Sequence, residues 1–307
     1  MGLQYNILWL DDRIEEYQTL EIDEYLEQYL DELFFSPHLY MYETIEDAKK
    51  NLEKKKWDVI FSDFNINESK NGEQFIRDIR NNNINSEVLF YSAQQDLPKM
   101  EIDRISFLRL SSDKAYEELK GKMKSVIDLT VEKLNDLTNL RGLVMSEVSE
   151  LDDKMKNIVA DYCKKSVDNE QELRNYIIGK IEEHLKGSLD TSQSKCDKKC
   201  IHQWKNKTIS EVVFEQNFDS YTTARALDHI LKKQSIPDVN KFLDDYYKAI
   251  IKNRNELAHC RTKLKEDGSE VLITKNGEKE FTSDDINKIR KNIIGYHKMF
   301  EKLKTNL

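Results

Sequence analysis

The stretch Tyr5–Asp12, YNILWLDD, decides how the first third of this chain folds. Tyr5–Leu10 is a short apolar run closed at once by Asp11-Asp12, the length and boundary of a buried strand. Trp57–Ser62, WDVIFS, repeats the pattern and ends at Asp63, and Glu87–Ser92, EVLFYS, repeats it again. His38–Glu43 alternates between the first two runs, and Ser106–Leu110 is a fifth candidate. Apolar residues at helical spacing fill the gaps over Ile14–Leu33, from a Thr44 cap to about Lys55, and over Gly72–Arg80. Strands rich in Val, Ile and Phe that alternate with helices predict a doubly wound five-stranded parallel sheet covered on both faces.

From about Ser112 the periodicity becomes almost wholly helical. Ser111, Ser112 or Asp113 can cap a helix to about Val131, and Lys114 falls inside it on this reading. Further helices follow through Leu143–Ile158, Glu170–Leu185, Thr208–Phe218 and Ser220–Lys233, and from Pro237 to about Cys260. Lys186–Asn206 loses periodicity and reads as a loop. Val271–Thr274 and Glu278–Phe281 flank Asn276-Gly277, which predicts a hairpin with a type I′ turn. A last helix, capped by Ser283 or Asp284, runs to about Lys302. The fold class expected is α/β plus all-α, with one domain at 1–130 and a helical one at 131–307.

The 307 residues carry 48 Lys+Arg against 57 Asp+Glu, a net charge of −9, which excludes a surface uniformly built for nucleic acid. The acidity is uneven. Residues 1–128 sum to −11 and residues 129–307 to +2. Nine Gly and three Pro leave few helix breaks. Cys163, Cys196, Cys200 and Cys260 are too sparse for a disulfide scaffold. No apolar run approaches the ~18 residues of a membrane span, so the expectation is a cytoplasmic protein with no membrane partner.

In doubly wound sheets ligands sit beyond the carboxyl ends of the strands. Asp11, Asp12 and Asp63 fall there, hard oxygen donors suited to Mg²⁺, with Ser92 offering a hydroxyl to a phosphoryl oxygen. Capping of the following helices is the alternative account of each Asp. The pattern resembles the receiver domain of two-component response regulators over about residues 3–130, through Asp11-Asp12, FSDF around Asp63, Gly72 in NGEQF and FYSA around Ser92. That resemblance implies Asp63 as phosphoacceptor and Asp11, Asp12 and Asp63 as metal ligands. It also implies that the Asn65 backbone carbonyl completes the metal site, that Ser92 is the switch hydroxyl, and that a histidine kinase or other phosphodonor is the partner. Two departures stand out. Arg109-Leu110-Ser111 replaces the family's Lys-Pro, removing a cation that would pair with the phosphoryl group, and no Pro follows the phosphoacceptor in FNINES. Arg109 substitutes only if its side chain faces the site.

Arg254-Asn255-Glu256-Leu257-Ala258-His259 closes a predicted helix. With a hairpin and final helix downstream, it resembles the HEPN superfamily over roughly Leu137–Leu307; ribonuclease members carry Arg, a polar residue and His at this spacing. Leu140–Asp152, LRGLVMSEVSELD, looks like the opening helix of such a domain. The resemblance implies metal-independent cleavage of an RNA substrate with no cofactor. His259 suits acid–base work, Arg254 suits phosphate contact, and Asn255 is placed at i,i+4 to orient His259. Five residues apart, Arg254 and His259 lie roughly 140° around the helix and do not converge unaided. Two motifs facing each other across a homodimer resolve that geometry in the family. The alternative is that Arg254 pairs with a nearby carboxylate and His259 ends a helix at its negative pole.

The leading expectation is therefore a receiver-regulated endoribonuclease, a toxin or anti-phage effector. The alternative is a non-catalytic signalling module whose helical domain binds a protein or RNA. Arg225 and His229 at i,i+4 read as a solvated face. Cys196, Cys200 and His202 have the wrong spacing for common zinc sites, and the lysines around Trp204 read as a solvated, mobile loop, with an RNA-contacting loop as the alternative.

Overall fold

A computed structural model of the chain describes residues 3–52, 54–66, 71–93, 104–110, 113–187, 207–215, 218–237, 239–266, 268 and 270–306. The chain divides into two compact units, Met1–Leu140 and Arg141–Leu307. The segment holding Cys196, Cys200, His202 and Trp204 and the cap positions Ser111 and Ser112 lie outside the described residues.

In the first unit β1 (Gln4–Leu10), β2 (Ser36–Tyr42), β3 (Val59–Asp63), β4 (Glu87–Ser92) and β5 (Ile105–Arg109) form one parallel sheet. Its order, β2-β1-β3-β4-β5, is the flavodoxin-like doubly wound order, whose switch point lies between β1 and β3. Alternation along the strands sends Leu8, Leu10, Ile60, Val88 and Phe90 to one face. There they pack with Ala48 and Leu52 of α3 (Ile45–Leu52) and with Phe75, Ile76 and Ile79 of α4 (Asn71–Asn81). On the other face the Trp9 ring lies 5.2 Å from Tyr17 of α1 (Ile14–Thr19), and the Tyr5 hydroxyl bonds Thr130 of α5 (Ala115–Asn135). Trp9 and Trp57 are both buried, on opposite faces of the sheet.

The helix expected over Ile14–Leu33 is two helices. α1 buries Ile14 and Tyr17, and α2 (Ile22–Glu32) buries Ile22, Leu26 and Leu30. The apolar register slips between Tyr17 and Ile22, Leu20 is left exposed, and Glu21 absorbs the slip in a left-handed conformation at φ 55°. Lys114 sits at the N-cap of α5 rather than inside it.

The second unit contains α6 (Leu137–Lys164) from Arg141 on, with α7 (Val167–Gly187), α8 (Ile209–Val212), α9 (Ser220–Lys233), α10 (Phe242–Tyr246), α11 (Lys252–His259) and α12 (Ser283–Asn306). The helix expected from Pro237 to Cys260 begins only at Phe242 and contains a π-helical turn, Tyr247–Ile251, between α10 and α11. Asn253 Nδ2 donates to the Ala249 carbonyl at 2.9 Å beside this widened turn. Tyr246 and Tyr296, 4.9 Å apart edge to face, join α10 to α12.

β6 (Arg261–Leu264), β7 (Glu270–Thr274) and β8 (Gly277–Lys279) make an antiparallel sheet, so the expected hairpin has a third strand. RTKL has no buried position and offers no apolar signal. The turn also differs from type I′, which needs φ > 0 at both central residues. Thr274 pairs with Gly277, and Gly277 alone in the turn has positive φ, at 111°. Among the described residues no helix is long and apolar enough to cross a membrane.

Candidate functional site

The carboxyl ends of β1 and β3, at the switch point of the sheet, bring Asp11, Asp12 and Asp63 together. One carboxylate oxygen from each lies within 4.8 Å of the others. Asp11 and Asp63 are buried and Asp12 is half-buried. Asp11 Oδ1 accepts from the Arg13 backbone at 2.8 Å, and Oδ2 accepts from the Tyr91 hydroxyl at 2.6 Å. Tyr91 in turn accepts from Trp9 Nε1 at 2.7 Å, so a buried chain of hydrogen bonds fixes the Asp11 carboxylate.

Burial and the neighbouring Asp11 push the Asp63 carboxyl up to about 6, and burial raises Asp11 as well. Arg13 acts on both, opposing the rise; its Nε lies 3.9 Å from Asp11 Oδ1. Two buried carboxylates raised in this way form an oxygen-donor set whose charge a hard divalent cation would relieve, so these residues fit Mg²⁺. Asp63 Oδ1 accepts from the Asn65 backbone at 3.3 Å, and Asn65 Nδ2 donates to Ser92 Oγ at 2.7 Å. Asp63, Asn65 and Ser92 are thus one hydrogen-bonded group. Arg109 stands opposite Ser92 in the β4–β5 register, with its side chain exposed. Arg13 is a cation that acts on both carboxylates. Nothing in the sequence pattern singles out Arg13 or Tyr91, although each adjoins a residue that the pattern points to.

In the second unit Arg254, Asn255 and His259 all lie on α11. Arg254 Nη1 donates to Asn255 Oδ1 at 2.9 Å, so Asn255 engages the arginine and not His259 as the i,i+4 spacing suggests. Arg254 Nη2 reaches Ser220 Oγ at 3.5 Å, and Ser220 donates to Asp152 of α6. Burial raises the Asp152 carboxyl, against the opposing pull of Ser220 and Arg254, and Asp152 Oδ1 has no hydrogen-bond partner among the described residues. The buried Tyr246 hydroxyl has none among them either, and it lies in the field of both Asp152 and Arg254. His259 is exposed at the last position of α11. Asp152 and Ser220 escape sequence reasoning because 68 residues separate them.

Other sequence candidates resolve into structure. His229 is not on a solvated face: it bonds Glu172 at 2.8 Å and stacks on Tyr176 at 3.9 Å, while Arg225 covers the Tyr221 ring. Burial lifts the Cys163 thiol to about 12, leaving it unreactive. Glu147 and Glu150 of α6 and His297 of α12 also gather ligand atoms within 4.8 Å, with His297 Nε2 at 2.9 Å from Glu147.

No protein-family model matches the chain, and no curated protein does. Solved structures do, over its N-terminal part. The signal receiver domain of a Luxo repressor protein from Vibrio parahaemolyticus is 18% identical, covering 43% of this chain and 96% of its own, with a TM-score of 0.33. The response regulator TrrA from Thermotoga maritima, in complex with Mg²⁺ and BeF, is 21% identical over 40% of this chain and 98% of its own, with a TM-score of 0.30. The MaeR response regulator bound to beryllium trifluoride is 22% identical over 38% and 98%, with a TM-score of 0.25.

Proposed function

We propose that the chain is a receiver-regulated, metal-independent endoribonuclease of HEPN type that acts as a homodimer in the cytoplasm, as a toxin or anti-phage effector. The observation that carries the receiver half is the convergence of Asp11, Asp12 and Asp63 within 4.8 Å at the switch point of a doubly wound sheet. With a pKa of about 6, Asp63 is mostly ionised at neutral pH, the form that attacks phosphorus. An Asp63 carboxylate oxygen bonds to the phosphorus of a histidine kinase's phosphohistidine or of another donor. The donor's P–N or P–O bond breaks, and the leaving group keeps the electron pair and takes up a proton. Asp11, Asp12, Asp63 and the Asn65 carbonyl would hold Mg²⁺, which when bound neutralises charge on the phosphoryl oxygens. The Ser92 hydroxyl, now bonded to Asn65, is placed to re-bond to the phosphoryl group and so report its presence.

In the C-terminal unit Arg254 binds the scissile phosphate while His259 exchanges a proton with the reacting oxygens. The 2′-oxygen bonds to phosphorus as its proton leaves, and the 5′-oxygen departs with a proton, leaving a 2′,3′-cyclic phosphate. Purified protein in EDTA should cleave single-stranded RNA to those ends. His259→Ala should lose at least about a hundredfold of that rate, as expected for removal of a general acid–base; cleavage equal to wild type would refute the catalytic assignment. Acetyl phosphate with Mg²⁺ should add one phosphoryl group to wild type and none to Asp63→Asn.

One observation favours a second reading, a non-catalytic signalling module that binds a partner protein or RNA. Arg254 is engaged by Asn255 and Ser220, and His259 is exposed at a helix end. That reading predicts RNA or protein binding with no cleavage in any phosphorylation state.

A further inference from the structure

In the C-terminal unit two polar residues stand where the helix pattern calls for apolar ones. On α6 Val144, Val148 and Leu151 are buried on one stripe. Glu147 lies on that stripe, at i+3 from Val144 and i−4 from Leu151, and is 1% exposed. On α12 the buried stripe includes Ile293 and Phe300, and His297 falls between them at i+4 and i−3. Its side chain is 15% exposed. The two polar residues meet across the helix interface, with His297 Nε2 at 2.9 Å from Glu147 Oε2. Glu150, at i+3 from Glu147 on the same helix face, adds a third donor. One ligand atom from each of the three lies within 4.8 Å of the others.

A carboxylate and an imidazole at core positions forgo apolar contacts and must be desolvated, a break in the pattern that marks functional sites. The contact with Glu147 does not satisfy the imidazole. If Nε2 donates to Glu147, Nδ1 is left as an acceptor in the neutral ring and as a donor in the protonated one. In either form Nδ1 is buried with no hydrogen-bond partner among the described residues. Lys154 of α6 and Glu301 of α12 pair at 2.6 Å, so the two helices are tied again beyond the cluster. Ligands carried on tied helices hold their geometry better than ligands on loops. Two carboxylates and one imidazole are a donor set for a borderline divalent ion such as Zn²⁺, with a fourth position left for water. The nitrogen ligand selects against Mg²⁺, which prefers oxygen.

We propose that Glu147, Glu150 and His297 form a binding site for a divalent transition metal of the Zn²⁺ kind, a clip that fastens α12 to α6 across 150 positions of sequence. The ion takes an oxygen from each carboxylate and one imidazole nitrogen, and its charge offsets theirs. Binding stabilises the fold because the three ligands come together only in the folded chain. Neither the N-terminal aspartates nor Arg254 and His259 belong to the cluster, so the site depends on neither half of the proposed function.

The test uses the full chain, stripped with EDTA and moved into buffer with excess MgCl₂, which occupies the N-terminal carboxylates. ZnCl₂ is titrated by calorimetry, and CoCl₂ by its visible absorption, which responds to an imidazole ligand. One equivalent of Zn²⁺ should bind with a Kd below ~10 μM. At about a hundred times Kd it should raise the thermal midpoint by at least ~3 °C. Glu150→Gln and His297→Gln should each weaken binding at least about tenfold and remove the stabilisation by Zn²⁺. Glu150→Gln is the decisive variant. It leaves the Glu147–His297 contact in place, so a hydrogen bond with a structural role only would not respond to it. Circular dichroism melts in EDTA check that the variants fold. Asp63→Asn and His259→Ala should bind Zn²⁺ as wild type, which separates this site from the receiver carboxylates and from the ribonuclease motif. No saturable binding, binding that is lost in Asp63→Asn, or binding that Glu150→Gln and His297→Gln leave unchanged in folded protein overturns the proposal.

Discussion

Asp63 carries the clearest consequence of burial. Its carboxyl is raised from 3.8 to about 6 by desolvation and by Asp11, so the folded chain holds that proton more tightly than the unfolded chain does. The resulting stabilisation is complete below about pH 3.8 and is lost as the pH rises through 6. A rise of that size is worth about 3 kcal/mol. Asp63→Asn should therefore unfold at higher urea than wild type at pH 7.5, with the advantage gone at pH 4; equal midpoints at both pH values would contradict this. Tyr91 makes the opposite kind of contribution. Its hydroxyl links Trp9 Nε1 to Asp11 Oδ2 inside the sheet, and Tyr91→Phe strands both. The expected loss is about 1–3 kcal/mol of unfolding free energy, read by urea titration. Asp63 is legible as a candidate because a lone carboxylate closing an apolar run is conspicuous. Tyr91 is not, because an aromatic residue inside a strand looks like any other core residue.

At the scale of elements, strands are easier to read than breaks within helices. Glu87–Ser92 has the bounds the apolar run predicts, since Val88–Tyr91 are buried on both faces and each of those four residues carries the signal. The α1–α2 break and the π-helical turn leave no such mark. Each is a local change of register, taken up by Glu21 in one case and by the five-residue turn Tyr247–Ile251 in the other. The β7–β8 turn shows how a correct motif can specify a different turn. Asn-Gly predicts type I′, yet Gly277 is the first residue of β8 and alone takes positive φ. A Cβ added there meets nothing within 4 Å, so the cost of Gly277→Ala is conformational. It should lower stability by about 1 kcal/mol, seen as a lower thermal midpoint without loss of the sheet's circular dichroism signal.

At the scale of the whole molecule, charge is divided as function is proposed to be. The first 128 residues sum to −11 and hold the carboxylate cluster, while the remainder is near neutral at +2. A ribonuclease site built from two copies of Arg254 across a homodimer implies few released counterions. Raising salt from ~50 to ~200 mM should weaken single-stranded RNA binding only about five- to tenfold, a slope near two phosphate contacts; a hundredfold loss would mean a far more extensive basic surface. What the sequence determined alone was what depends on neighbours along the chain: the five strands, the aspartates at their ends, and the change to helical periodicity near residue 112. Tertiary structure decided what depends on residues far apart. It brought Asp11 and Asp63 within reach across the switch point, put Tyr91 on Asp11 across 80 positions, tied Arg254 through Ser220 to Asp152, and gathered Glu147, Glu150 and His297 from two helices. Periodicity reports which face of an element is apolar, but which polar groups meet across a core is set by packing, because burial makes each of them find a partner or lose free energy.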